Sequence, residues 1–179
     1  MTFPSFATGD VLTAADMNAV GLWLVKTQTV GTAVASVTVN NAFSSSYKNY
    51  KIIWNAGLGS GFADLALSLG GITTGYYGGQ FGASYVTGNY GGRGVNNAAS
   101  WLYAGSCNSS FAFFHCDVIA PQAAERKLCH GYCSYYGAAF AYSMFTGEVT
   151  STAQATSFTI TPSAGTLTGG TIYVYGYKP

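Results

Sequence analysis

The chain has 179 residues, 49% apolar and 16% aromatic but only 7% charged, with seven Lys or Arg against six Asp or Glu and a formal net charge of +1. Soluble domains ordinarily carry roughly 25% charged residues, so this surface must be built from Ser, Thr, Asn, Gly and Tyr, or be covered by other subunits. The scattered basic residues leave no electrostatic footprint for nucleic acid, and no apolar run of about 18 residues is present for a transmembrane helix.

The first twenty residues lack the basic n-region and unbroken apolar h-region of a secretory signal, so export is not expected. That also counts against an exported outer-membrane barrel, and no membrane insertion is expected. Residues 1–10 are punctuated by Pro and Gly, with Phe3 and Phe6 as isolated apolar anchors. A short helix is expected over 14–20. Thr13 is its N-cap and Asp16 sits three residues on, with Leu12 and Met17 at the staple positions and Gly21 at the stop. Two turns are not stable alone, so this segment must pack on its own domain or dock to a partner.

From Leu22 onward the pattern is of strands, expected at 22–30, 35–39, 50–56, 64–70, 101–105, 111–119, 127–136, 157–161 and 171–177. Alternation is plain in Leu65, Leu67 and Leu69 against Asp64, Ala66 and Ser68, and in Ile172 and Val174 against Tyr173, Tyr175 and Tyr177. Turn clusters separate the strands at 57–61, 70–71, 78–79, 91–97 and 161–170. Many short strands with almost no helix predict an all-β chain, an antiparallel β-sandwich or jelly-roll-like domain over 22–179, preceded by the helical segment 1–21.

The stretch 70–99 is the least core-like, nearly all Gly, Tyr, Asn, Ser and Thr, with 80–87 as a candidate strand. It reads as either a long surface excursion or a contact surface. Tyr beside Gly, Ser and Asn is the composition of binding loops, because Tyr supplies large amphipathic contact area at small entropic cost. The candidate contact residues are Tyr76, Tyr77, Tyr85, Tyr90 and Arg93.

Cys107, His115, Cys116, Cys129, His130 and Cys133 cluster in sequence, but the spacing disfavours metal. Cys129 and Cys133 form C-x₃-C and stand roughly 13–14 Å apart along a strand, and His115 and Cys116 would point to opposite faces. A hairpin of 111–119 with 127–136 could place Cys116 opposite Cys129 or Cys133 for a disulfide. Small buried thiols are the first reading, and both histidines are expected as satisfied core residues. The six carboxylates have no neighbourhoods suggesting paired acid–base work, and no nucleophile elbow, phosphate loop or zinc-protease motif occurs. No enzyme activity, catalytic residue, cofactor or metal is expected.

Several stretches together resemble a known family. FATGDVLTAADMNAVGLWLVKTQTVG is similar to the opening of many tailed-bacteriophage virion proteins, in which F-x-x-G-x-V-L-T-A-x-D-M-N leads into a β-rich domain. VTVNNAFSSSYKNYKII and LALSLGGITTGYY resemble its following strands, and SFTITPSAGTLTGGTIYVYGYKP resembles its closing strand, with Tyr173 where the family often has Arg. The resemblance implies a non-enzymatic virion component made in the host cytoplasm. It further implies a homotrimer attached to other virion proteins through residues 1–21, with Phe3, Phe6, Leu12 and Met17 as contacts and the β domain displayed on the virion surface. On a tail it would meet a host-surface glycan or protein; on a capsid it would be a decoration or head fibre. A carbohydrate-binding β-sandwich module is the further alternative.

Overall fold

The computed structural model describes residues 7–11, 21–134 and 142–177. The expected helix over 14–20 and the anchor residues Phe3, Phe6, Leu12 and Met17 lie outside the described residues. Among the described residues the regular structure is entirely β. The elements begin with β1 (Leu22–Thr29), β2 (Val37–Val39), β3 (Asn49–Asn55), the two-residue β4 (Leu58–Gly59) and β5 (Ala63–Leu69). A hairpin of β6 (Tyr76–Ala83) and β7 (Tyr90–Ala98) follows. Then come β8 (Trp101–Cys107), β9 (Ala112–Ile119), β10 (Lys127–Ser134) and β11 (Tyr142–Val149). The chain closes through β12 (Phe158–Pro162), the two-residue β13 (Leu167–Thr168) and β14 (Thr171–Tyr177).

The pairings are antiparallel. A larger sheet runs β1-β14-β3-β9-β10-β11-β6-β7 and a smaller one runs β2-β12-β5-β8. The hairpin β8–β9 passes from one sheet to the other, pairing Ser106 with Phe113 and Cys107 with Ala112. Its turn is held by Asn108, whose Oδ1 accepts from the backbone N–H of Ser110 at 2.7 Å and of Phe111 at 2.9 Å. This is the local side-chain-to-backbone bonding that makes Asn a turn residue.

Strict alternation builds the core between the sheets. Tyr50, Ile52 and Trp54 of β3, Phe114 and Cys116 of β9, and Ile172 and Val174 of β14 face Leu65, Leu67 and Leu69 of β5, Phe158 and Ile160 of β12, and Trp101 of β8, all buried. Phe43 bridges the layers, 4.9 Å from Tyr50 and 5.6 Å from Phe158 between ring centroids. Trp101 meets Tyr76 edge-on at 5.0 Å and donates its indole N–H to the Glu148 carbonyl at 3.1 Å, so its burial leaves no polar atom unpaired. Full burial of each such side chain contributes about 1.5–3 kcal/mol.

The architecture is thus an all-β, antiparallel, sandwich-like one, with strands where nine expected segments lie. The sequence reading misses β11, and it takes 78–79 and 91–97 for turns where the chain runs straight through β6 and β7. Much of the supposed excursion 70–99 is an ordinary hairpin on one edge of the larger sheet.

A candidate interaction surface on the larger sheet

Side chains that alternate with the core face outward, and on the larger sheet many of them are apolar. On β10 Cys129 and Gly131 point inward while Leu128, His130 and Tyr132 point outward; on β11 Phe145 and Val149 point inward while Tyr142 and Met144 point outward. The register then aligns them. Tyr132 lies opposite Met144, which lies opposite Phe81; in the next row Tyr142 lies opposite Ala83, which lies opposite Tyr90. These five large side chains are 57–75% exposed, which places them on the surface rather than at the rim of the core. The rings of Phe81 and Tyr90 stack at 5.8 Å with 7° between planes. With Phe113 they line a groove of about 410 Å³ bordered by no charged side chain. A neighbouring depression of about 800 Å³ continues over the backbone of Gly78, Gly79 and Gly131 to His130 and Thr146.

Glycine makes that floor. A Cβ added at Gly78 would fall 2.4 Å from the Thr146 carbonyl oxygen, and one at Gly79 would fall 2.5 Å from that of Arg93. Gly78 also has φ +147°, a conformation side-chain-bearing residues rarely adopt. The neighbouring strands close around these positions, and the outer surface there is bare backbone.

Beside the apolar area lies a connected group of ionisable side chains. Lys51 donates from Nζ to His115 Nε2 at 3.0 Å and to Asp117 Oδ2 at 3.1 Å. Asp117 also accepts from the Tyr177 hydroxyl and lies 3.6 Å from His130 Nε2. Burial and the adjacent Lys51 ammonium hold His115 below its ordinary pKa, which suits a neutral ring accepting from that ammonium. Lys51 is raised despite burial, which opposes its charge, because Asp117 and Tyr177 stabilise it. Burial and Asp117 push the Tyr177 phenol up. The network ties β14, β3, β9 and β10 together across their outer face. Both histidines therefore lie on this face, not in the core as expected from their apolar sequence contexts.

The sequence-derived contact residues separate. Tyr85 and Tyr90 are exposed and Tyr77 is half-buried. Tyr76 is fully buried, its hydroxyl accepting from the Leu69 N–H at 2.8 Å, and so belongs to the core, not to any contact surface. Arg93 turns toward the smaller sheet. It forks onto Asp64 at 2.6 and 2.7 Å, donates to Gln80, and lies 4.1 Å from the Tyr103 ring centroid. Phe81, Tyr132, Tyr142 and Met144 escape the sequence reading. The available signal is that KLCHGYCSYY and YSMFTGEV place large apolar residues (Leu128, Tyr132, Tyr142, Met144) on the face opposite Cys129 and Phe145, a trend toward the pattern of a sheet covered on both sides.

Cys116 lies opposite Gly131 with Cys129 its diagonal neighbour, so the hairpin register that would set Cys129 or Cys133 directly opposite Cys116 for a disulfide does not occur. Cys116 and Cys129 are buried free thiols. Burial, together with the hydrogen bond its thiol makes to Cys116, pushes the Cys129 thiol well above its ordinary pKa, which makes it a poor nucleophile. Among the described residues no three His, Cys, Asp or Glu side chains are grouped to hold a metal ion. The fold and this surface are what the chain offers for comparison: no family model, no curated protein and no solved structure matches it.

Proposed function

We propose that this chain is a non-enzymatic structural protein of a tailed-bacteriophage virion. It is a short trimeric surface fibre or spike, attached through residues 1–21 and displaying a β-sandwich domain over 22–179. The observation that carries this reading is the uncharged aromatic groove on the larger sheet's outer face, in a chain with 7% charged residues. Monomeric domains rarely expose contiguous apolar patches beyond a few hundred Å², and sparse charge gives little repulsion between copies. The opening and closing motifs direct the reading to a virion. Tail association, with host contact through the exposed tyrosines, is the first placement.

The second placement is a capsid decoration or head fibre, favoured by a face better suited to packing on subunits than to polar recognition. Antibody labelling of intact particles separates the two: label at the tail supports the first, label over the head the second, and unlabelled particles overturn the virion reading. Deleting residues 1–21 is expected to abolish incorporation, and incorporation at the normal level would overturn the attachment role.

A further inference from the structure

Among the described residues the larger sheet ends on two edges, β1 and β7, and they are built differently. An edge strand presents backbone N–H and C=O groups outward, and proteins blunt such edges with bulges, lysines and prolines. On β1 the register shifts between Leu24 and Lys26, which supplies both a bulge and a lysine. On β7 the segment from Tyr90 to Val95 runs in unbroken register with β6 and contains neither Pro nor Lys. Its one charge, Arg93, is turned toward the smaller sheet and forked onto Asp64.

The glycines of this edge set it apart from those of β6. A Cβ at Gly94 would meet nothing within 4 Å, and one at Gly92 would make only an ordinary 3.4 Å contact with the Gln80 carbonyl oxygen. Neither position has the positive φ that requires glycine. Glycine inside a strand weakens it and often marks the close approach of another backbone. Among the described residues the only strand paired with β7 is β6.

We propose that β7 pairs antiparallel with β7 of a second copy across a twofold axis through Gly92, joining the two larger sheets edge to edge. Opposed residues in an antiparallel pair share a face, which limits the registers. Centring on Arg93 would set two guanidinium groups opposite each other, which is unfavourable. Centring on Gly92 puts Arg93 opposite the partner's Gly91 and Tyr90 opposite the partner's Gly94. Tyr90, stacked on Phe81 within its own chain, would have to turn outward to cover the partner's Gly94, the arrangement in which a cross-strand aromatic shields an edge glycine. Past Val95 the register shifts and Asn97 takes φ +49°, so the straight edge ends where the partner's Ser84–Asn89 turn would fall. The aromatic faces of the two copies become continuous.

The twofold contact does not rest on the virion reading, and in a trimeric fibre it would join copies of two neighbouring trimers, since a twofold contact cannot close a ring of three. Particle labelling can fail while this contact forms, and the reverse. In the full chain, Gly92→Cys sets two thiols opposite each other with Cα atoms roughly 4.5–5.5 Å apart, within the span of a disulfide. Mild oxidation with copper phenanthroline in air is expected to convert most of that variant to a disulfide-linked dimer. Wild type and Thr38→Cys, on the short edge strand β2, should not convert. Crosslinking no greater than in Thr38→Cys would overturn the proposal. A charge pair gives a second arm: Gly92→Lys and Gly92→Glu should each weaken self-association at least tenfold by sedimentation. Mixing the two should restore it as a mixed pair, and failure of the mixture to associate would overturn the twofold register.

Discussion

Tyr76 and Tyr90 sit at opposite ends of the β6–β7 hairpin and have opposite environments. The Tyr76 ring is fully buried and its hydroxyl satisfies the Leu69 N–H at 2.8 Å and reaches the Ile72 carbonyl at 3.3 Å. Burial pushes this phenol up to about 12. Tyr76→Phe keeps the shape but strands a buried donor, so it should cost about 1–3 kcal/mol in urea unfolding. Tyr90 is 75% exposed, and Tyr90→Ala should leave stability within about 0.5 kcal/mol. Equal losses in the two variants would contradict these placements. His115 supplies a pH test. Its pKa is held below 6.5 by burial and Lys51, so below pH 6.5 the unfolded chain binds more protons at this site than the folded one. The neutral ring's contribution to stability is therefore complete above pH 6.5 and falls as pH drops toward the folded pKa. His115→Gln should lose less melting temperature between pH 7 and 5 than wild type, and parallel curves would remove His115 as the source.

At the scale of elements, two glycines in neighbouring parts of the sheet make opposite predictions. A Cβ at Gly147 of β11 would fall 2.6 Å from the Trp101 indole nitrogen and 2.6 Å from the Tyr77 carbonyl oxygen. Gly147→Ala therefore overpacks the junction of the two sheets and should cost about 1–3 kcal/mol. Gly94→Ala has open space and should stabilise the isolated fold by about 0.5–1 kcal/mol, the ordinary gain over Gly in a strand; thermal melts of the two variants check the sign. The same contrast explains which elements are legible in the sequence. β3, β5 and β14 alternate apolar and polar residues because one face of each is buried, so period-2 patterning finds them. β11 mixes residue types on each face, with Tyr142 and Met144 outward and Ser143 and Gly147 inward, and so loses the alternation. In β6 and β7 glycine reads as a turn signal, though its role at Gly78 and Gly79 is close strand approach. The outward aromatic surface was hidden for the same reason, since its register exists only once β6, β7 and β11 are aligned.

For the whole molecule, the unusual composition resolves into a spatial pattern. The few charges are mostly spent in pairs: Lys51 with Asp117, Arg93 with Asp64, Lys48 with Glu125 and Arg126 with Glu148. The groove-lining part of the larger sheet's outer face is left to aromatic rings, Met and glycine backbone. An isolated chain gains little from Phe81, Tyr132 and Met144, which are 57–59% exposed. In an assembly that covers the face, each would contribute on the order of 1–2 kcal/mol by losing its remaining contact with water. Replacing all three by Ser should therefore leave the circular dichroism spectrum intact and the melt nearly unchanged. It should weaken self-association by on the order of a hundredfold or more, since each 1.4 kcal/mol is about tenfold. Sedimentation across a concentration series reads both quantities. A triple variant that unfolds would mean that these side chains belong to the core of the single chain. One that assembles at wild-type concentrations would mean that this face makes no contact between copies beyond the β7 edge.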